Sequence, residues 1–519
     1  MLLAVPLLSI LVSAAAAAPA GVPVRPDSAL ADVVAGLPGE PLALDDAIRQ
    51  GLDGATGVRS ARAALRSARG ALRREKGAFD PVLFADVDVT DADTPTASPF
   101  SGADVLETKE RSVSTGARLK LPIGTELAAI LETVRLETNS SFASLNPQHT
   151  TSGRLTVRQP LLSGFGPSAN AGVSSASRDL DAARARATDA ALSVASEVEA
   201  TYWDLHAAEL DLAVRRLLVQ RGESFVHQAV QRAEAGVVGP GEVATARTFL
   251  AEQQIEAIAR EEDLDETSDR LATLLGRRPA GGATRFRTVS EPPGDFALEP
   301  EEALVERALA RNHELRAAKA DLAAADARAR AAAWDRLPRL DVSGSIGGNG
   351  LAGTGRSVAF LDTTFTTQST GGFSDSFDQV VNRDFLSWSV GMSLEVPLTL
   401  RPGRGERERT LGEVDAAQAR VEAVRRDVED QVRARRRELE HGSRRLELAR
   451  TGVDAALEQA RIGQIEYQNG RSTAFELVRL AADVAAAQQR YSDALVRTAK
   501  AAAELKRLAP VETNPGSEE

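Results

Sequence analysis

Cysteine is absent from the 519 residues. That excludes disulfides, thiol chemistry and a lipidated N-terminal cysteine. Aromatic residues are scarce at 4%, while charged residues make up 26%, with Ala, Arg, Glu and Leu dominating long stretches. This is the composition of long helices rather than of a globular core. Five histidines are scattered along the chain, none paired at metal-ligand spacing, so neither a metal nor a cofactor is expected. His206 and His441 fall on helical stretches, where solvated surface positions are expected. No cluster of His, Asp, Glu, Ser or Gly has catalytic or phosphate-binding spacing, which argues against an enzyme. The net charge of −12 disfavours nucleic acid as a partner. Long apolar runs are missing too, save Met1 to Ala20. That run ends in small residues and reads as a secretory signal (residues 1–20), being too short for the rival reading of a membrane anchor. An exported chain that does not cross a membrane as helices is expected.

What the sequence does contain is a repeat. Leu439, Leu446, Val453, Ala460 and Tyr467 keep a stride of seven up to a turn at Gly470. Beyond it, Leu477, Leu480, Val484, Ala487, Tyr491, Ala494, Thr498, Ala501 and Leu505 alternate steps of three and four. A 3.5-residue average keeps one stripe facing a partner helix, so this is a helical hairpin with a coiled-coil seam. Thr473 and Glu476 are spaced as a capping box for its second arm. The same hairpin occurs earlier. Leu205, Leu212, Val219, Val226 and Ala233 lead to a turn over Gly236, Gly239, Pro240 and Gly241, and Val243, Ala246, Leu250, Ala257, Leu264 and Leu271 follow. Gly236 and Gly470 lie 234 positions apart, as do Glu242 and Glu476. Gln253 and Arg260 interrupt the first seam. A duplicated architecture follows.

The expected organisation is a first repeat over 21–280, a linker over 281–299, a second repeat over 300–507 and a disordered tail over 508–519. The first repeat carries a helix over 42–76, strands within 82–161 and a long hairpin over 167–275. The second carries a helix over 300–335, strands within 339–398 and a hairpin over 404–507. Asp91 to Lys109 and Gly347 to Asp384 read as polar loops, the latter with room for one short strand. The clearest strand is Leu386 to Leu398. Leu386, Trp388, Val390, Met392, Leu394 and Val396 face one way, and Ser387, Ser389, Gly391, Ser393 and Glu395 the other.

A strand with one apolar and one Ser/Gly/Glu face needs either a core or lipid. Neither repeat has enough strands for a core of its own. Closing strands from several copies into a barrel pairs every backbone group and leaves a polar, water-filled lumen. A soluble β-sandwich cap on a coiled coil is the competing reading. Helices of about 65 residues would reach roughly 100 Å, more than a pore alone requires.

In these features the sequence resembles the outer-membrane efflux proteins, the TolC-like channel family. The resemblance rests on the tandem duplication, the helix–strands–long helix order and Leu337-Pro-Arg-Leu340. It rests also on the strand exits Gln159-Pro-Leu161 and Val396-Pro-Leu398 and on the segments after the two turns. It implies a mainly α protein with β-strands, in which duplicated coiled-coil hairpins accompany a trimeric twelve-stranded transmembrane barrel. It further implies outer-membrane lipid around the barrel, a tunnel reaching into the periplasm, and a periplasmic adaptor and inner-membrane transporter as partners. That is the duct of a tripartite efflux or type I secretion system. The alternative is a soluble periplasmic coiled-coil scaffold or adaptor. By resemblance Gly236, Gly239, Pro240, Gly470 and Ser472 form the tips that dock the adaptor, and Glu476, Glu242, Tyr467 and Arg471 the gate or constriction. Three departures stand out. Arg479 replaces a second acid, Ser114 to Leu136 reads as extra strands, and only Trp334 and Trp388 are candidates for a membrane girdle, Trp203 being expected in the core.

Overall fold

The computed structural model describes residues 33–97, 101–293, 296, 298–360, 363–367 and 370–510. The expected signal peptide and residues 511–519 of the expected tail lie outside them. The elements run β1 (Glu40–Leu42), α1 (Leu44–Gly54), α2 (Thr56–Gly77), β2 (Val82–Pro95), β3 (Val105–Lys120), β4 (Glu126–Thr138), β5 (Leu145–Pro160), α3 (Ala171–Glu234) and α4 (Pro240–Leu275). The second half follows with β6 (Phe286–Thr288), α5 (Glu301–Arg311), α6 (His313–Asp335), β7 (Arg339–Gly355), β8 (Ser357–Phe360), β9 (Thr363–Thr366), α7 (Phe373–Asn382), β10 (Phe385–Glu395), α8 (Arg401–Gln468) and α9 (Ala474–Leu508). Two units result. One comprises the described residues of Met1–Arg66, Ala182–Ala318 and Arg420–Glu519, the other Ser67–Asp181 and Lys319–Ala419.

The helical unit is built on the seams. Leu205, Leu212, Leu264 and Leu271 are buried, as are Leu439, Leu480, Val484 and Thr498. Trp203 lies in the core with Tyr202 and Phe286, and Val496 and Ala499 of α9 join the same cluster, which ties the two repeats together. Gln253, which interrupts the seam, is buried but accepts a hydrogen bond from Arg215 (3.3 Å). Arg260 turns outward to Asp263 (2.7 Å). Outer faces carry ion pairs one turn apart, such as Arg425–Glu429 and Arg436–Glu440. Each is worth a few tenths of a kcal/mol, about 0.3–0.5.

Two expected helices are each broken once. The helix over 42–76 divides at Ala55, whose ψ of 129° is extended. At the break Gly54 lets another chain segment come close, because a Cβ there would lie 2.1 Å from the Leu275 carbonyl oxygen. The helix over 300–335 divides at Asn312, whose Oδ1 accepts from the Leu315 N–H (2.9 Å) and starts α6 as an N-cap. The expected linker holds β6, which pairs in parallel with β1.

The other unit carries one six-stranded antiparallel sheet in the order β10-β7-β5-β4-β3-β2. The strands outrun the polar loops expected at Asp91–Lys109 and Gly347–Asp384. β2 pairs with β3 up to Pro95 and Val105, where Asp91 faces Lys109. β7 continues to Gly355, followed by the β8–β9 hairpin and α7. α7 seats on β5 and β7. Ser376 Oγ lies 2.7 Å from Thr151 Oγ1. Gln379 accepts from the Leu351 N–H (2.9 Å) and donates to the Leu351 carbonyl (3.2 Å), capping β7 beyond its last partner on β10. Gly350 permits this seating, since a Cβ there would sit 1.8 Å from the Ser376 carbonyl oxygen. Gly350→Val should unseat α7 at a cost of about 1–3 kcal/mol and speed trypsin cleavage at Arg383. Gly344→Ala, on the same face with only an ordinary 3.9 Å contact, should leave that rate unchanged.

Candidate functional site at the strand face and the hairpin tips

The register of the sheet sorts its side chains rung by rung, because alternate residues of a strand face opposite sides. One rung reads Leu83, Ala117, Ala129, Leu155, Ile346 and Trp388 from edge to edge. Another reads Leu119, Leu127, Val157, Gly344 and Val390. A rung of opposite parity reads Arg118, Ala128, Thr156, Ser345 and Ser389. One face is therefore apolar across all six strands and the other predominantly polar. The apolar face is uncovered over most of its extent. Leu83 is 82% exposed, Trp388 73% and Val390 74%, and that much exposed apolar surface marks a site of contact with something else. From Leu386 to Leu394 the apolar side runs about 27 Å along the strand at 3.4 Å per residue, on the scale of the ~25 Å apolar band of a membrane barrel. Farther along, the same face turns charged, with Arg111 opposite Arg135.

Leu386, Trp388, Val390, Met392 and Leu394 all lie on this apolar face. Val396 lies past the end of β10, a correction to the strand expected through Leu398. Pro397 has no N–H to continue the ladder. Of the girdle candidates, Trp388 is exposed, whereas Trp334 is half-buried against Phe165, with ring centroids 6.0 Å apart.

The two hairpin turns share one backbone solution. Gly470 has φ +70° and Gly236 has φ +73°. Arg471 N–H reaches back to the Glu466 carbonyl (2.8 Å), as Val237 N–H does to that of Arg232 (2.9 Å). This is a Schellman turn, which needs a left-handed residue that glycine supplies without strain. Gly239 then caps α4, with Pro240 at its first turn, where a missing N–H costs nothing.

At this end the first hairpin grips the second. Tyr467 is 3% exposed and packs with Phe225, Ala229 and Ala246. Its hydroxyl donates to Glu242 Oε1 (2.9 Å). Arg232 lies over its ring, 4.7 Å from the centroid, with Nη1 3.9 Å from Glu242 Oε1. Burial, and then the Glu242 carboxylate, raise the Tyr467 pKa, so the phenol keeps its proton and remains a donor.

The chain matches the model of the outer membrane efflux protein family over residues 129–277 and 304–509, more than half its length. It belongs to that family. It is thus an outer-membrane efflux channel. No curated protein sequence matches it. Among solved structures, the outer-membrane channel OprN is 19% identical with a TM-score of 0.63, the match covering 90% of this chain and 89% of OprN. VceC of Vibrio cholerae is 15% identical with a TM-score of 0.60, covering 90% and 95%. The MtrE channel of Neisseria gonorrhoeae, solved in its open state, is 16% identical with a TM-score of 0.61, covering 90% and 88%. At these identities the likeness is one of fold.

The structure separates the residues expected at the gate. Glu242 and Tyr467 meet, but Glu476 and Arg471 do not join them. Thr473 Oγ1 accepts from the Glu476 N–H (3.3 Å) as an N-cap, while the Glu476 carboxylate turns to Arg479 (2.5 Å) instead of closing a capping box. Arg479 stands one turn on, within reach of that carboxylate. Arg471 is exposed, and its guanidinium pairs with no described residue. Ser472 Oγ is enclosed without a hydrogen-bond partner among the described residues. Arg232 and Phe225 carried no warning in their residue types. Their only signal was position, within three turns before Gly236 and on the arm leading into it.

Among the described residues no helix is long and apolar enough to cross a membrane, and no group of side chains could hold a metal ion.

Proposed function

We propose that three copies of the channel close their sheets into one barrel in the outer membrane, and that their hairpins continue it as a tunnel through the periplasm. The reading adds a periplasmic adaptor and an inner-membrane transporter at the tips around Gly236, Gly239, Pro240, Gly470 and Ser472. Substrates leave through the duct of a tripartite efflux or type I secretion system, driven by the transporter. The observation that carries the reading is the apolar face running edge to edge over a sheet whose edges are both unpaired, in a chain that also carries duplicated helical hairpins. A soluble periplasmic scaffold would have no use for that face. The test is extraction. A membrane-fraction protein that forms ion-conducting trimers in planar bilayers supports the duct, and a soluble protein that never enters the membrane fraction overturns it.

Tyr467, held by Glu242 and Arg232, is the gate contact in this reading. Tyr467→Phe keeps the ring packing and loses one hydrogen bond to a carboxylate, worth about 1.5–3 kcal/mol. Every 1.4 kcal/mol is roughly tenfold in an equilibrium, so open-channel occupancy should rise about tenfold or more. Single-channel recording checks this, and an unchanged record removes Tyr467 from the gate.

A further inference from the structure

We infer that the barrel wall holds eighteen strands, six from each of three copies, closed by β2 of one copy pairing with β10 of the next. This rests on the trimeric-barrel reading above and departs from the twelve strands that the family resemblance implies. The difference is the β3–β4 hairpin, which contains the extra strands noted at Ser114 to Leu136.

Three observations place that hairpin in the wall. First, it is bonded on both sides. β3 pairs with β2 from Val82 to Pro95, and β4 pairs with β5 from Glu126 to Leu136. A hairpin projecting from a four-stranded sheet would instead leave β2 beside β5. Second, the apolar rungs pass through it without interruption, at Ala117 and Ala129 and again at Leu119 and Leu127. A hairpin standing in water has no use for an apolar side continuous with that of its neighbours. Third, on its other side β3 presents Glu110, Ser112, Ser114 and Arg118, and β4 adds Glu132 among Ile130, Val134 and Leu136, with Ser114 and Glu132 in step with Ser152 on β5. Polar residues on the opposite parity are what a water-filled lumen requires.

The edges suit closure onto another copy. Every pairing in the sheet is antiparallel, so with six strands β2 and β10 run in opposite directions. A β2-to-β10 junction between copies is then antiparallel like the rest. Both edge strands are open, since β2 and β10 each have one neighbour in the sheet. A long apolar edge left unpaired invites aggregation, and in lipid its free N–H and C=O groups are prohibitive. Because barrel diameter grows roughly linearly with strand number, the wall is about 1.5 times as wide as one of twelve strands. The exit is then far from limiting, and control of flow falls to the tips.

Single-particle imaging of the full-length protein extracted from membranes counts the strands. A threefold particle with eighteen strands is expected. A threefold particle with twelve, and β3–β4 outside the wall, overturns the inference and leaves the duct standing. A particle with no threefold barrel overturns both. Labelling gives a second readout, helped by the absence of native cysteine. In liposomes, A117C and L131C should resist a water-soluble maleimide while S114C and E132C react. Equal reaction at all four positions puts the hairpin in water and overturns the inference.

Discussion

Replacing Glu209 with Gln should stabilise the channel at neutral pH by about 3 kcal/mol, with the gain vanishing below about pH 4.5. Glu209 is 1% exposed on α3. Its carboxylate accepts from the Thr288 N–H (2.8 Å) and from the Thr288 hydroxyl. The same hydroxyl oxygen lies 3.0 Å from His206 Nδ1, so a chain of bonds runs from the imidazole through Thr288 to the carboxylate. Burial pushes the Glu209 carboxyl up from 4.5 to about 7, with the Thr288 bonds opposing it. Burial pushes His206 down from 6.5 to about 4. A carboxyl raised in the folded state holds its proton more tightly there. Its contribution to stability is therefore full below pH 4.5 and lost as pH rises toward 7. The lowered histidine acts in the opposite sense. Folding keeps it neutral, and stability is lost as pH falls from 6.5 toward 4. Asp211, raised to about 6 by burial and then by Asp493, follows Glu209 in sign. The difference between variant and parent isolates each group. Denaturant unfolding in detergent across this range should show the Glu209→Gln advantage growing from pH 4.5 to 7. His206→Gln should show an advantage growing from pH 6.5 down to 4. A Glu209→Gln advantage independent of pH would mean that the carboxyl does not titrate in that window.

The partial burial of His206 shows where sequence legibility ended. On a long helix a histidine reads as solvated, yet His206 is covered by Trp203 one turn back (ring centroids 6.2 Å) and by Thr288, 82 residues on. The heptads, by contrast, were readable because a helix seam is a local period and a Schellman turn needs a local glycine. Tyr467 was readable as a seam position, but its hydroxyl partner Glu242 lies 225 residues away. Nor did any local signal name Arg232 as the cation over its ring. The glycines of β7 read as a loop for a related reason. They leave room for α7, and a residue's absence of side chain does not say what comes close. The breaks at Ala55 and Asn312 divide along the same line. Asn312 carries a cap signal in its own side chain, while what lies against the break at Ala55 is the distant Leu275 carbonyl beside Gly54.

The strand face allows the sharpest contrast between neighbours on one strand. Val390 and Ser389 are adjacent on β10 but belong to opposite faces of the sheet. Val390 is 74% exposed and sits midway along the apolar run, opposite Gly344. Ser389 shares a hydroxyl–hydroxyl hydrogen bond with Ser345 (2.8 Å) on the polar face. In a barrel, Val390→Arg puts a guanidinium near the bilayer midplane at a cost of about 2–4 kcal/mol in each copy, and assembly meets that cost once per subunit. Ser389→Arg puts the same charge into lumen water, where the cost is that of one neutral hydrogen bond, about 1 kcal/mol. Val390→Arg should therefore abolish trimers in the outer-membrane fraction, while Ser389→Arg assembles at close to parental yield. Ala129→Arg extends the comparison to β4, where Ala129 shares the apolar rung of Leu155 and Ala117. It should fail as Val390→Arg does, because a wall that includes β4 exposes it to the same hydrocarbon. Equal assembly of Val390→Arg and Ser389→Arg would show that neither face meets lipid, and the apolar rungs would then have to find their cover in protein.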